Sequence, residues 1–294
     1  MSHEYLKWSE TVYGGEKQPP NDPVDPLAGS WPMYYFTKDE DTFNGPDGRP
    51  VHFDIQSPDT IDWYRQLRAV NRTLKHLTPH QRDIAIYWGT GAATKQWTPV
   101  VDRLIDTYNL TPTRAARVLA AVHTGINDTF VIVWHYKYLW NVARPIQYDQ
   151  SIETVVCTPR FPTYISGHAA VAGYVETILS YFFPGEARHL KQLAEENAKS
   201  RLYAGVHFPI DNDEGLSLGR QIGHFIIKTL SKEHNEKGQQ VDVFYRKNLR
   251  ADISPQPYEQ VIPFDFDNDC TSNTITSIHD GKHSKYVPKP KLYL

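Results

Sequence analysis

Serine or threonine followed directly by proline occurs at Ser57-Pro58, Thr78-Pro79 and Thr111-Pro112. Each pair reads as a helix N-cap with proline at the first helical position, where the missing amide would have had no partner anyway. Helices are expected to run from these points, the first to about residue 77. Further helical patterns cover 127–142, 167–183, 185–202 and 214–230, and no alternating strand pattern interrupts them. The predicted class is therefore all-α, a bundle of helices over 59–236. Residues 1–58 are rich in turn formers, as in Asn44-Gly45-Pro46-Asp47-Gly48, and read as an irregular arm held to the body by Trp31, Tyr34, Tyr35 and Phe36. Residues 237–294 carry Pro255, Pro257, Pro263, Pro288 and Pro290 and read as an irregular wrapping tail.

A chain of 294 residues, 40% of them hydrophobic, is long enough to bury a sizeable core. Its formal charge of -3 supplies no global field for nucleic acid or an anionic membrane, so any anion site must be local. The first ten residues lack the apolar core of a signal peptide, and the most apolar stretch, 129–140, is too short to span a bilayer. A soluble cytoplasmic protein is expected. Cys157 and Cys270 lie far apart and match no zinc or disulfide spacing, so they read as free thiols.

Three segments carry chemistry. In Lys137-Tyr-Leu-Trp-Asn-Val-Ala-Arg144-Pro145 the two cations are seven positions apart, nearly on one helical face, before Pro145 ends the helix. Charged residues usually sit in solvent, but Val131, Ile132, Val133, Trp134, Leu139, Trp140 and Val142 surround this pair, and buried cations need an anionic partner. In Phe161-Pro-Thr-Tyr-Ile-Ser166-Gly167-His168, Ser166 reads as an N-cap and Gly167 lets a ligand approach the free amides of a helix start. His168 in the first turn would face the same anion as a general acid or base. In Ser200-Arg201-Leu-Tyr-Ala-Gly-Val-His207-Phe-Pro-Ile-Asp211, a helical turn would place Asp211 against His207, fixing its tautomer and raising its basicity as nucleophile or metal ligand. Taken singly, each segment also suits ordinary capping or a satisfied histidine; together they supply three cations, an amide nest and two histidines.

These segments resemble the superfamily joining vanadium-dependent haloperoxidases to type 2 phosphatidic acid phosphatases and bacterial acid phosphatases. That signature runs Lys-x6-Arg-Pro, Ser-Gly-His and Ser-Arg-x5-His-x3-Asp, and all of it occurs in order between Lys137 and Asp211, with Ile165 where proline is usual. The resemblance implies that Lys137, Arg144 and Arg201, with Ser166 and the Gly167 amide, hold the equatorial oxygens of vanadate, or of phosphate or sulfate in the same site. It implies that His207 bonds axially to vanadium or attacks phosphorus, that His168 and Lys137 assist proton transfer and polarisation, and that Asp211 supports His207. A trigonal bipyramid is common to bound vanadate and to a phosphoryl-transfer transition state, so one site suits either chemistry. Trp134 and Phe161 look like the aromatic wall on the halide side of the fungal vanadium chloroperoxidase. The resemblance thus implies a haloperoxidase acting on hydrogen peroxide, halide and an organic acceptor, with a soluble phosphomonoesterase using a phosphohistidine as the alternative.

Overall fold

Among the residues described by the computed structural model, 4–261 and 270–275, eight α-helices dominate. They are α1 (Trp63–Lys75), α2 (Pro79–Gly89), α3 (Trp97–Thr107), α4 (Pro112–Trp140), α5 (Pro145–Tyr148), α6 (Gly167–Phe182), α7 (Ala187–Tyr203) and α8 (Pro209–Leu230). The all-α class read from the sequence holds. The only sheet among the described residues is small and antiparallel, in the order β1 (Thr37–Asp39), β2 (Thr42–Asn44) and β3 (Pro50–Val51), within the stretch read as irregular.

Thr78 begins α2 with a reciprocal cap, its Oγ1 accepting from the Gln81 amide at 3.2 Å while Gln81 Oε1 accepts from the Thr78 amide at 3.0 Å. Ser57-Pro58 behaves differently: it opens a 3₁₀ turn, Pro58–Thr60, and α1 starts later, where Asp62 caps the Arg65 amide at 2.9 Å. Helix α4 runs unbroken from Pro112 through the 127–142 segment to Trp140. Asn141 ends it in the left-handed conformation, with its amide on the Lys137 carbonyl at 2.8 Å. Arg144 therefore lies beyond the helix, in extended backbone before α5, and shares no helical face with Lys137.

At the centre sits α6, packed between α4, α7 and α8 and almost wholly buried. Its approach to α8 is close because Gly219 faces the Ala170 carbonyl, which any Cβ there would strike. The arm is tied to α4 by Asp128, whose buried carboxylate accepts the amides of Tyr34, Tyr35 and Phe36 at 2.8, 2.7 and 3.3 Å. Phe36, Phe43, Phe53, Trp8 and Tyr13 enter the core, whereas Trp31 and Tyr34, expected as anchors, are 50% and 71% exposed. Phe36 and the partly buried Tyr35 pack on the body, and the backbone amides bonded to Asp128 add a hold that composition does not reveal.

A second expectation is overturned. Cys157 and Cys270 form a disulfide across 113 residues, because the tail returns over the 154–157 loop and the bridge between Thr154 and Thr274 holds it there. Spacing alone gave no sign of that return. No described helix is long and apolar enough to cross a membrane.

Candidate active site

Carbonyls of the loop 161–166 and its Thr163 hydroxyl hold Lys137 of α4, Arg144 before α5, His207 between α7 and α8, and Asp211 of α8. Its Tyr164–Ile165 peptide is cis, and the Ser166 amide then reaches the Asp211 carbonyl at 3.0 Å. Ser166 caps α6, its Oγ accepting from the Ala169 amide at 3.4 Å, which leaves the amides of Gly167 and His168 at the free end of the helix. A Cβ on Gly167 would stand in ordinary van der Waals contact with Phe130 at 3.5 Å and Trp134 at 3.6 Å, and Gly167 lines the cavity over this helix start.

His207 is buried on the loop between α7 and α8, not on a helix as the spacing suggested. Asp211, in the first turn of α8, folds back on it: its Oδ2 lies 2.8 Å from His207 Nδ1 and accepts the Phe208 amide at 3.0 Å. The Thr163 hydroxyl donates to the same oxygen and stands 3.1 Å from His207 Nδ1. On the other side of the ring, Arg144 Nη1 lies 3.0 Å from Nε2. A guanidinium only donates, so Nε2 is the lone-pair nitrogen and Nδ1 carries the proton toward Asp211.

Arg144 is fixed by the carbonyls of Phe161 and Val206, both at 2.9 Å, and Lys137 Nζ by those of Pro162 and Thr163 at 2.7 and 2.8 Å. Arg201 donates to Ser200 Oγ at 3.0 Å and to the Ala85 carbonyl of α2 at 2.8 Å. All three cations are at most 2% exposed, and no ion pair reaches them among the described residues. Burial pushes Lys137 well below its usual range, Arg144 down to about 10 and Arg201 to about 9, and the neighbouring guanidinium of Arg144 lowers the other two further. Burial, then the surrounding cations, also holds both His168 and His207 well below the ordinary histidine value. Asp211 is raised to about 6 by burial, against the opposing hydrogen bond from Thr163 and the charge of Lys137.

Three buried cations facing one carboxylate leave a positive excess, and several polar atoms there lack protein partners: Arg144 Nη2, His168 Nε2 and Asp211 Oδ1. A tetrahedral oxyanion matches both the charge and the donors, whereas no group of three or more His, Cys, Asp or Glu among the described residues could chelate a bare cation. The donor set thus fits vanadate, phosphate or sulfate, and His168 and His207 are the imidazoles that line the cavity beside it.

A cavity of about 510 Å³ opens above this floor. Gly167, His168, Arg201 and His207 line its base, while Lys137, Arg144 and Ser166 lie outside its lining. Trp134 and Phe161 form its wall, with ring centroids 4.8 Å apart. Phe161 also shields the cations, Lys137 Nζ lying 5.1 Å and Arg144 Cζ 4.8 Å from its centroid. Sequence reasoning missed Thr163, which sits 44 residues from His207, and Gly89, where a Cβ would come within 2.6 Å of the Arg201 guanidinium. Neither carries a spacing that marks it.

Residues 116–234, which hold the cations, both histidines and Asp211, match the model of the PAP2 superfamily. Over this segment the chain is similar to that superfamily. Among solved structures, the chain is similar to a bacterial vanadium-dependent iodoperoxidase, with a TM-score of 0.53 and 23% identity over 63% of this chain and 52% of that one. It is also similar to a bacterial vanadium-dependent chloroperoxidase: the apo form gives a TM-score of 0.55 and 13% identity over 78% and 62% of the two chains, and the holo form 0.53 and 14% over 74% and 58%. The likeness is one of fold, and the chain covers less than two thirds of each of these relatives. No curated protein matches the sequence.

Proposed function

We propose that the chain is a vanadium-dependent haloperoxidase, converting halide, hydrogen peroxide and a proton into hypohalous acid and water. The observation that carries this reading is the apolar, aromatic chamber whose base holds Arg201, His168 and His207, beside the buried Lys137 and Arg144, with no carboxylate ion-paired to the three cations among the described residues. Vanadate, when bound, supplies Lewis acidity without changing oxidation state. Lys137, Arg144 and Arg201, with Ser166 and the Gly167 amide, would hold its equatorial oxygens and balance their charge. His207 would present Nε2 to the central atom, kept in that tautomer by Asp211 and Thr163. His168, with Nε2 unpartnered at the cavity base, would give and take the proton. The aromatic wall of Trp134 and Phe161 would lower the local dielectric and so strengthen each of these interactions.

The same arrangement would serve a phosphomonoesterase, with His207 as nucleophile and His168 protonating the leaving group, and the unpartnered His168 Nε2 favours keeping this second reading. As to location, the Cys157–Cys270 disulfide favours an oxidising compartment over the cytoplasm expected from composition.

The deciding experiment incubates the protein with orthovanadate and measures bound vanadium, then halogenation of a dione indicator. The haloperoxidase reading requires one vanadium per chain and turnover only when peroxide and halide are both present. Hydrolysis of nitrophenyl phosphate through an acid-labile phosphohistidine, blocked by vanadate and without halogenation, would replace it with the phosphatase reading.

A further inference from the structure

The backbone 141–144, which carries Arg144 from α4 to α5, has a partner on each side. On one side the Thr163 amide donates to the Val142 carbonyl at 2.9 Å. On the other lies the arm. The Trp8 amide donates to the Asn141 carbonyl at 2.8 Å and the Ala143 amide to the Leu6 carbonyl at 2.9 Å, which pairs Lys7 with Val142 as in an antiparallel ladder.

Gln147 joins this arm to Arg144. It is 3% exposed, and its carboxamide is fully used: Oε1 accepts from the Arg144 amide at 2.7 Å, while Nε2 donates to the carbonyls of Trp8 and Thr11 at 2.8 and 2.5 Å. A carboxamide offers an acceptor and two donors in one plane. A carboxylate there would turn oxygens toward carbonyls, and an apolar side chain would leave three buried backbone groups short of a bond.

Helix α5 has four residues, too few to hold itself in place, so the backbone at Arg144 takes its position from these bonds. Position matters there, because one guanidinium meets the Phe161 and Val206 carbonyls and His207 Nε2, all within 3.0 Å. Such bonds weaken steeply when their geometry is disturbed. We propose that Gln147 is a positioning residue for Arg144, and that through it arm residues 6–11, outside the matched segment 116–234, are a working part of the anion site. This role rests on the anion site inferred above and not on which reaction follows there.

Titration with orthovanadate tests it through a double-substitution cycle. Gln147→Met fills similar space without the hydrogen bonds and should weaken binding by about tenfold or more, as loss of an outer hydrogen bond commonly does at metal sites. In an Arg144→Ala background, where Lys137 and Arg201 remain to hold the anion, the same substitution should change the dissociation constant by less than about twofold, because the group it positions is gone. A packing role alone would cost the same factor in both backgrounds. Should Gln147→Met not fold, Gln147→Asn takes its place in the cycle: it is a methylene shorter and cannot span from the Arg144 amide to both arm carbonyls. Binding by the folded variant as tight as in the parent protein, or equal losses with and without Arg144, overturns the proposal. A parent protein that binds neither vanadate nor sulfate overturns the anion site and this role together. Vanadate binding with the expected coupling but no halogenation supports the role and sinks the haloperoxidase reading alone.

Discussion

Arg144 Nη1 lies 3.0 Å from His207 Nε2, so a permanent cation stands against the lone pair that would meet the central atom of the oxyanion. The contact settles the tautomer of the ring and places a guanidinium beside it. Arg144→Lys keeps the charge but cannot bridge Phe161, Val206 and His207 at once. Loss of these charge-assisted bonds should weaken vanadate binding roughly 10–100-fold, read by titration, with an unchanged circular dichroism spectrum.

Asp211→Asn should be comparably severe for a different reason. The carboxylate accepts from His207, Thr163 and the Phe208 amide, and an amide in its place offers one acceptor and two donors. The variant should bind vanadate about 10–100-fold more weakly. Unaltered affinity would show that the imidazole orients itself without it.

Gly89→Ala separates anion binding from stability. At the end of α2 the added methyl should favour the helix by about 0.5–1 kcal/mol, yet it would press within 2.6 Å of Arg201. A melting temperature equal to or above that of the parent, with weaker vanadate binding, is the expected pair of results. A loss of stability equal to the loss of affinity would refute the local explanation.

Sulfate, whose charge is constant over the range, should bind more weakly as pH rises. Arg201 in the free site releases its proton near 9, and a bound anion holds that proton in place, so affinity should fall above that pH. His168 is held neutral by burial and by the cations around it; a bound anion would favour its charged form, so affinity should also climb toward acid pH. Sulfate titrations in buffers of different ionisation heat should report net proton uptake, and proton release would contradict the cation cluster.

Reduction of Cys157–Cys270 should cost about 2–4 kcal/mol, lowering the melting temperature by roughly 5–15 °C. Peptide mapping without reductant should recover the two cysteines in one linked species, and two titratable thiols in the native protein would contradict the bridge.

The side chains that the structure brings together here could be singled out in the sequence because they belong to short motifs: Lys137 and Arg144, Ser166 to His168, Arg201 and His207 with Asp211. What the sequence misplaced was the backbone between them. Seven positions from Lys137 to Arg144 suggested one helical face, but Asn141 breaks the helix, and the two cations converge through hydrogen bonds to the 161–163 carbonyls. Asp211 meets His207 by folding back from the first turn of α8. Thr163, Gly89 and the disulfide depend on contacts between distant segments, which no local pattern encodes.

Asp128 fastens the arm through three amides, and that arm supplies Val24, Ala28 and Trp31 to the chamber. A fragment trimmed to the 116–234 core would keep the anion grip's motifs but forfeit its ceiling. The shape of the chamber would accordingly be written in peripheral stretches, around residues 24–31 and 91–93, that could be redrafted without disturbing the charged floor.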